Sequence, residues 1–171
     1  PGPIARPGTG KPQEHPALSV VRENKVLDEF RSNDRFEIYE SPELKPFVLI
    51  GEKNPSADLQ GIFAKFEDLL PKLYRTFMQE FGETPQLNLD RIENSELPIV
   101  FYTRRATYDQ WWRNVYKKPS IPQVTGVFSY PGRRVSLYYD SALDTIDSGR
   151  TREVLLHEAI HQLVDHYTRG R

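Results

Sequence analysis

The sequence predicts an α+β fold in which a small mixed sheet packs against helices. Apolar patterns follow one another as a strand pair, a helix, a strand, a helix, a second strand pair and a last helix. A length of 171 residues suits one domain. A hydrophobic share of 37% beside a charged share of 27% fits a soluble globular domain with some unpacked chain.

The first 17 residues are rich in proline and glycine and have no apolar periodicity. We therefore predict a disordered linker at residues 1–17 and a single domain at residues 18–171. The chain begins with Pro1 rather than Met, so we interpret it as part of a longer protein, trimmed at both ends and joined to other domains. No signal peptide is visible, and we favour an extracytoplasmic setting although no residue fixes the compartment.

The first half of the domain predicts a hairpin and a long helix. Residues 18–33 suit either a short helix or a strand, whereas residues 35–40 and 46–50 have strand patterns that suit a hairpin turning at Ser41-Pro42. Asn54 and Pro55 are good first residues for a helix that extends to Gly82, with apolar residues at three- and four-residue spacing. Pro71 predicts a kink or a break inside this helix.

The second half predicts a strand, a helix, a strand pair and a final helix. These elements fall at residues 97–103, 104–116, 124–130, 133–139 and 151–168. Pro131 and Gly132 suit a tight turn between the paired strands, and Gly170 can end the last helix. We interpret Asp140, Asp144 and Asp147 as residues of the loop before that helix, rather than as ligands.

Charge and composition exclude several kinds of partner. A net charge of −1 gives no general attraction to nucleic acid or anionic membranes, and no apolar run is long enough to span a bilayer. The absence of cysteine excludes disulfides, thiolate metal sites and cysteine nucleophiles. Residues 104–118 mix basic and aromatic side chains, as nucleic-acid-binding segments do. Tyr108, Trp112 and Val115 recur at helical spacing, however, so we predict a core stripe and no nucleic-acid partner.

The last helix contains two histidines four residues apart, His157 and His161, with Glu158 after the first. This spacing places both imidazoles on one face, where they can reach a single metal ion at about 2.0–2.1 Å. Glu158, about 100° from His157, can deprotonate a metal-bound water. We expect the helix to be buried along one apolar row and to hold the histidines at its border, with Glu158 and Gln162 beyond them. That row contains Leu156, Ile160, Leu163 and Tyr167.

Residues 154–163 (VLLHEAIHQL) resemble the extended HExxH consensus of the zincin metallopeptidases. Residues 126–140, residues 99–108 and the long helix ending at Phe81-Gly82 resemble a group of uncharacterised bacterial gluzincin-like domains, so the likeness covers about residues 35–170. It implies a zincin-like fold with the HExxH helix at its C-terminal end. It also implies zinc bound by His157 and His161, Glu158 as general base, and hydrolysis of peptide or protein substrates.

Gluzincins take a third zinc ligand, a glutamate, from a later helix, and this chain ends at Arg171, so we expect that ligand beyond it. Asp165 lies about 12 Å from His157 along the helix, which suits either a partner of the ligands or a solvated charge. His166 points away from the pair, and we predict that it is not a ligand.

Two functional alternatives remain open from the sequence. The hairpin at residues 124–139 can pair with an extended peptide along its edge, or it can be an ordinary hairpin covered by its neighbours. The domain itself can be a peptidase, or a catalytically inactive zincin-like scaffold that binds protein or cell-surface ligands. The intact Glu158 favours the peptidase.

Overall fold

A computed structural model of the chain describes residues 20–83, 95–118, 125–130, 132–139 and 150–168, without the side chains of residues 20–25 and 167. Several predictions lie outside these residues. They concern the linker at residues 1–17, the turn residue Pro131, the loop residues Asp140, Asp144 and Asp147, and Gly170.

The described residues form four helices and five strands. In chain order these are α1 (Val20–Arg31), β1 (Phe36–Tyr39), a 3-10 turn (Pro42–Leu44), β2 (Phe47–Glu52), α2 (Leu59–Phe81), β3 (Leu97–Tyr102), α3 (Arg105–Tyr116), β4 (Gly126–Ser129), β5 (Arg134–Tyr138) and α4 (Arg150–Thr168). The α+β class is confirmed, and the described part of the ambiguous segment at residues 18–33 contains helix α1 over residues 20–31. Within these residues no helix has the length and apolar character that crossing a bilayer requires.

The strands form one mixed sheet in the order β1-β2-β3-β5-β4. The three inner strands are parallel to one another, and the outer strands β1 and β4 each run antiparallel to a neighbour. Both predicted strand pairs are therefore present. Strand β4 is the outer strand on the side that carries helix α4.

Helices cover both faces of the sheet, so the fold has three layers. In β2, Phe47 and Leu49 point towards α2 and α4, whereas Val48 and Ile50 point towards α1 and α3. Every residue of β2 and β3 is buried, as expected for parallel strands covered on both faces. The aromatic residues of α3 belong to the second core, which confirms the predicted core stripe: Tyr108 and Trp112 are 1% and 8% exposed.

Helix α2 differs from its prediction at the start and in the middle. It begins at Leu59, because Asp58 caps it by accepting a hydrogen bond from the N–H of Gly61 at 2.9 Å. Asn54 instead closes the preceding turn, accepting from the N–H of Ser56 at 3.1 Å. The helix runs unbroken through Pro71, so the predicted break is wrong, whereas the alternative of a kink stays a prediction. Buried apolar residues on both sides of Pro71 offset the lost hydrogen bond.

Helix α4 is rotated relative to the prediction. Its buried row is Leu155, Ala159 and Leu163, all fully buried, whereas Ile160 is 41% exposed. The small side chain of Ala159 allows the helix to approach the sheet closely. Gly126 of β4 has the same effect, because a Cβ atom there would lie 2.5 Å from Val154 Cγ1.

Hydrogen bonds from Gln162 fix α4 in this orientation. Its side chain is buried, contrary to the prediction that it lies beyond the apolar face. The amide Nε2 donates to the carbonyl oxygen of Pro98 at 3.1 Å and to that of Arg133 at 3.2 Å. Helix α4 is thereby fixed both to the start of β3 and to the turn between β4 and β5.

At the opposite end of the parallel strands, the buried carboxylate of Glu52 joins four segments. It accepts hydrogen bonds from Arg104 Nη1 at 2.8 Å, Arg35 Nη2 at 3.2 Å and Thr107 Oγ1 at 2.8 Å. It also accepts from the backbone N–H groups of Thr103 and Arg104 at 3.1 and 3.0 Å. Burial raises the pKa of Glu52, but these bonds, led by that from Thr107, outweigh burial and lower the pKa below its usual value.

Replacing Glu52 by glutamine should lower the free energy of unfolding by about 3 kcal/mol near neutral pH, because Arg35 and Arg104 lose their shared anion. A carboxyl with a lowered pKa stabilises the fold above its ordinary pKa of 4.5, and the gain is lost as the pH falls through the lowered value. Urea unfolding at about pH 7 and about pH 3 should therefore show a smaller difference at the lower pH. Glu80→Gln, on the exposed side of α2, is the control, and an equal loss there would contradict the prediction.

Gln162→Leu keeps the volume of the side chain but removes the hydrogen bonds that Nε2 donates to the carbonyl oxygens of Pro98 and Arg133. We expect a loss of about 2 kcal/mol in the free energy of unfolding, measured in urea. Gln110→Leu, at an exposed position of α3, should change stability by less than about 0.5 kcal/mol. Equal stability of the two variants would show that the buried amide does not hold α4.

Candidate metal centre

The two histidines of the HExxH motif lie on the exposed face of α4, opposite the buried row. Their Nε2 atoms are 3.0 Å apart, and the ring centroids are 4.6 Å apart with the planes at 79°. Two tetrahedral zinc ligands at 2.0–2.1 Å from the ion lie about 3.3 Å from each other. The pair of nitrogens is therefore close to the separation that one ion requires.

The same distance allows a hydrogen bond between His157 and His161, in which one ring donates its N–H and the other accepts. A metal ion would replace that proton, since both nitrogens must present a lone pair to the ion. Both rings are exposed, so other side chains leave them free to turn for this change.

Glu158 is half-buried and lies on the side of α4 that faces strand β4. Its Oε2 accepts a hydrogen bond from the backbone N–H of Phe128 at 2.7 Å. The carboxylate is thus held beside the histidine pair by the edge of the sheet. The sequence did not indicate this bond, because every residue except proline has a backbone N–H, so the residue type does not show which one donates.

An open groove of about 430 Å³ separates the first half of α4 from the start of β4. It is lined by Thr125, Gly126, Arg150, Glu153, Val154, His157 and Glu158. The groove therefore brings one candidate ligand, the candidate base and the edge of β4 into contact with the same volume of solvent.

The described residues contain no group of three metal-ligating side chains. Asp165 is half-buried on the same helix, and its role beside the histidine pair stays a prediction. The loop aspartates Asp140, Asp144 and Asp147 lie outside the described residues. Within the described residues, the candidate centre therefore consists of the histidine pair and Glu158.

His166 belongs to the interior rather than to the centre. It is 4% exposed, and its Nε2 lies 2.5 Å from Ser95 Oγ, just before β3. This agrees with the prediction that His166 points away from the pair on the exposed face. Its bond to Ser95 fixes the last turn of α4, much as Gln162 fixes the middle.

Comparisons with protein families, with curated proteins and with solved structures found no match for this chain. The resemblance to zincins therefore stays a prediction that depends on residues 154–163 and on the patterns of residues 99–108, residues 126–140 and the helix ending at Phe81-Gly82. The fold on which these residues lie is a five-stranded mixed sheet covered by helices on both faces.

Proposed function

We propose that this domain is a zinc-dependent peptidase of the zincin type. The observation that carries the proposal is the 3.0 Å separation of the Nε2 atoms of His157 and His161 on an exposed helix face. Glu158 follows the first histidine and lines the same groove as that ring. Imidazole pairs of this kind suit zinc, which prefers nitrogen ligands and tetrahedral geometry.

In this proposal, His157 and His161 hold the metal through Nε2, together with a third protein ligand from outside the described residues. When bound, zinc lowers the pKa of a water molecule to about 7 and polarises the substrate carbonyl. Glu158 removes a proton from the attacking water and later delivers it to the leaving amine. The groove beside β4 receives the peptide, so that the scissile carbonyl lies between the base and the histidine pair.

The rival function is a catalytically inactive zincin-like scaffold that binds protein or cell-surface ligands. It is favoured by one observation, namely that the carboxylate of Glu158 already accepts a hydrogen bond from Phe128. A carboxylate used only for structure would be held in the same way. The two functions differ in what the loss of Glu158 does to hydrolysis.

Zinc titration by calorimetry, in a protein that extends past Arg171, tests the metal site. We expect one zinc ion per chain and a loss of at least about a hundredfold in affinity for His157→Ala and for His161→Ala, because each removes one ligand. His15→Ala removes a histidine outside the motif and should leave the affinity unchanged. Equal binding by all four proteins, or none by the unchanged protein, would rule out this centre.

Glu158→Gln tests the peptidase against the scaffold. In a protein that extends past Arg171, this variant should retain zinc and lose at least about a thousandfold in hydrolysis of an unstructured peptide, because the amide cannot accept the proton of water. Mass spectrometry of the peptide measures cleavage, and Glu80→Gln is the matched control. Zinc binding without any cleavage by the unchanged protein would favour the scaffold.

A further inference from the structure

We propose that Glu158 is a latch on the edge of strand β4, which an extended peptide opens by taking the N–H of Phe128 for itself. Strand pairing and release of the general base are then one event. This inference rests on the proposed function and adds a substrate-controlled step to the same site.

The direction of the Phe128 N–H follows from the order in which hydrogen-bonded and non-bonded residue pairs alternate between β4 and β5. The N–H of Tyr138 donates to the carbonyl of Thr125, its directly opposed residue, at 2.7 Å. Opposed pairs alternate between bonded and non-bonded along such a ladder. Gly126 and Phe128 are therefore non-bonded residues, and their N–H and C=O groups point away from β5.

These outward groups lie on an open edge, because β4 is the last strand of the described sheet. An open edge attracts other strands unless its donors are covered. Here the Phe128 N–H is covered by a carboxylate at 2.7 Å, which forms a charge-assisted bond. The Phe128 side chain is 6% exposed in the core, so the strand cannot turn this N–H elsewhere.

A peptide that adds to β4 must bond to the same outward groups, since alternate residues of an edge strand supply all the donors and acceptors. Glu158 and the peptide therefore compete for one N–H. Displacement frees the carboxylate when a peptide backbone lies in the groove that His157 also lines. The base is thus available only when there is a carbonyl to attack.

Peptide affinity tests the latch without metal. The probe is a fluorescent eight-residue peptide of alternating threonine and valine with blocked ends, measured by anisotropy in the presence of a chelator. Glu158→Ala removes the competitor and should bind the probe about tenfold more tightly than the unchanged protein, the worth of one charge-assisted bond at a half-buried site. Glu158→Gln, which keeps an acceptor oxygen, should lie between the two, and Glu80→Ala should bind as the unchanged protein does.

Amide hydrogen exchange gives a second readout on the free protein. The Phe128 amide should exchange at least about tenfold faster in Glu158→Ala than in the unchanged protein, and addition of the probe should slow it again. A probe N-methylated at every residue has no free N–H on either edge and should not bind.

Weaker or equal probe binding by Glu158→Ala would overturn the latch, and so would binding of the N-methylated probe. Self-association of Glu158→Ala without probe binding would show that a second copy pairs with β4, which also overturns it. Because these measurements use no metal and follow no hydrolysis, failure here is distinct from failure of the zinc titration or of the cleavage assay.

Discussion

The rotation of helix α4 about its own axis is the constraint on which the candidate centre depends. Gln162 bonds two carbonyl groups on the sheet side, and Ala159 brings the helix close to the strands. With that side buried, the helical period places His157 and His161 on the exposed face and Glu158 towards β4. A rotation of 100° would bury a histidine and remove the carboxylate from the groove.

The carboxylates of Glu52 and Glu158 both accept hydrogen bonds from backbone N–H groups, but they differ in how firmly they are held. Glu52 is fully buried and accepts five hydrogen bonds, two of them from arginine side chains, so its removal takes away contacts that join four segments. Glu158 is half-buried and accepts one backbone bond, from Phe128. One such bond is worth only about 1–2 kcal/mol, so an incoming strand can replace it. The first carboxylate is structural, and the second is suited to exchange.

Much of the fold could be predicted from the sequence, because buried apolar residues recur with the period of the helix or strand that contains them. The strand pairs, the strand at residues 97–103 and the helix bearing the histidines followed from apolar spacing. The start of α2 did not, because Asn54 and Asp58 are both good caps. Packing decides between them, since Leu59 must lie against Gly51, where a Cβ atom would be only 2.7 Å from Leu59 Cδ2.

The face of α4 was mispredicted for a related reason. Two apolar rows run along this helix, and hydrophobicity ranks the row of Ile160 above the row of Ala159. Close approach to a strand containing Gly126 reverses that order, because the smaller side chains gain contacts that larger ones would prevent. Because of this reversal, the buried row that anchors α4 and the candidate centre lie on opposite sides of the helix. In the proposed centre, a metal ion would replace one proton between two exposed rings, and the core that holds the helix would not need to move.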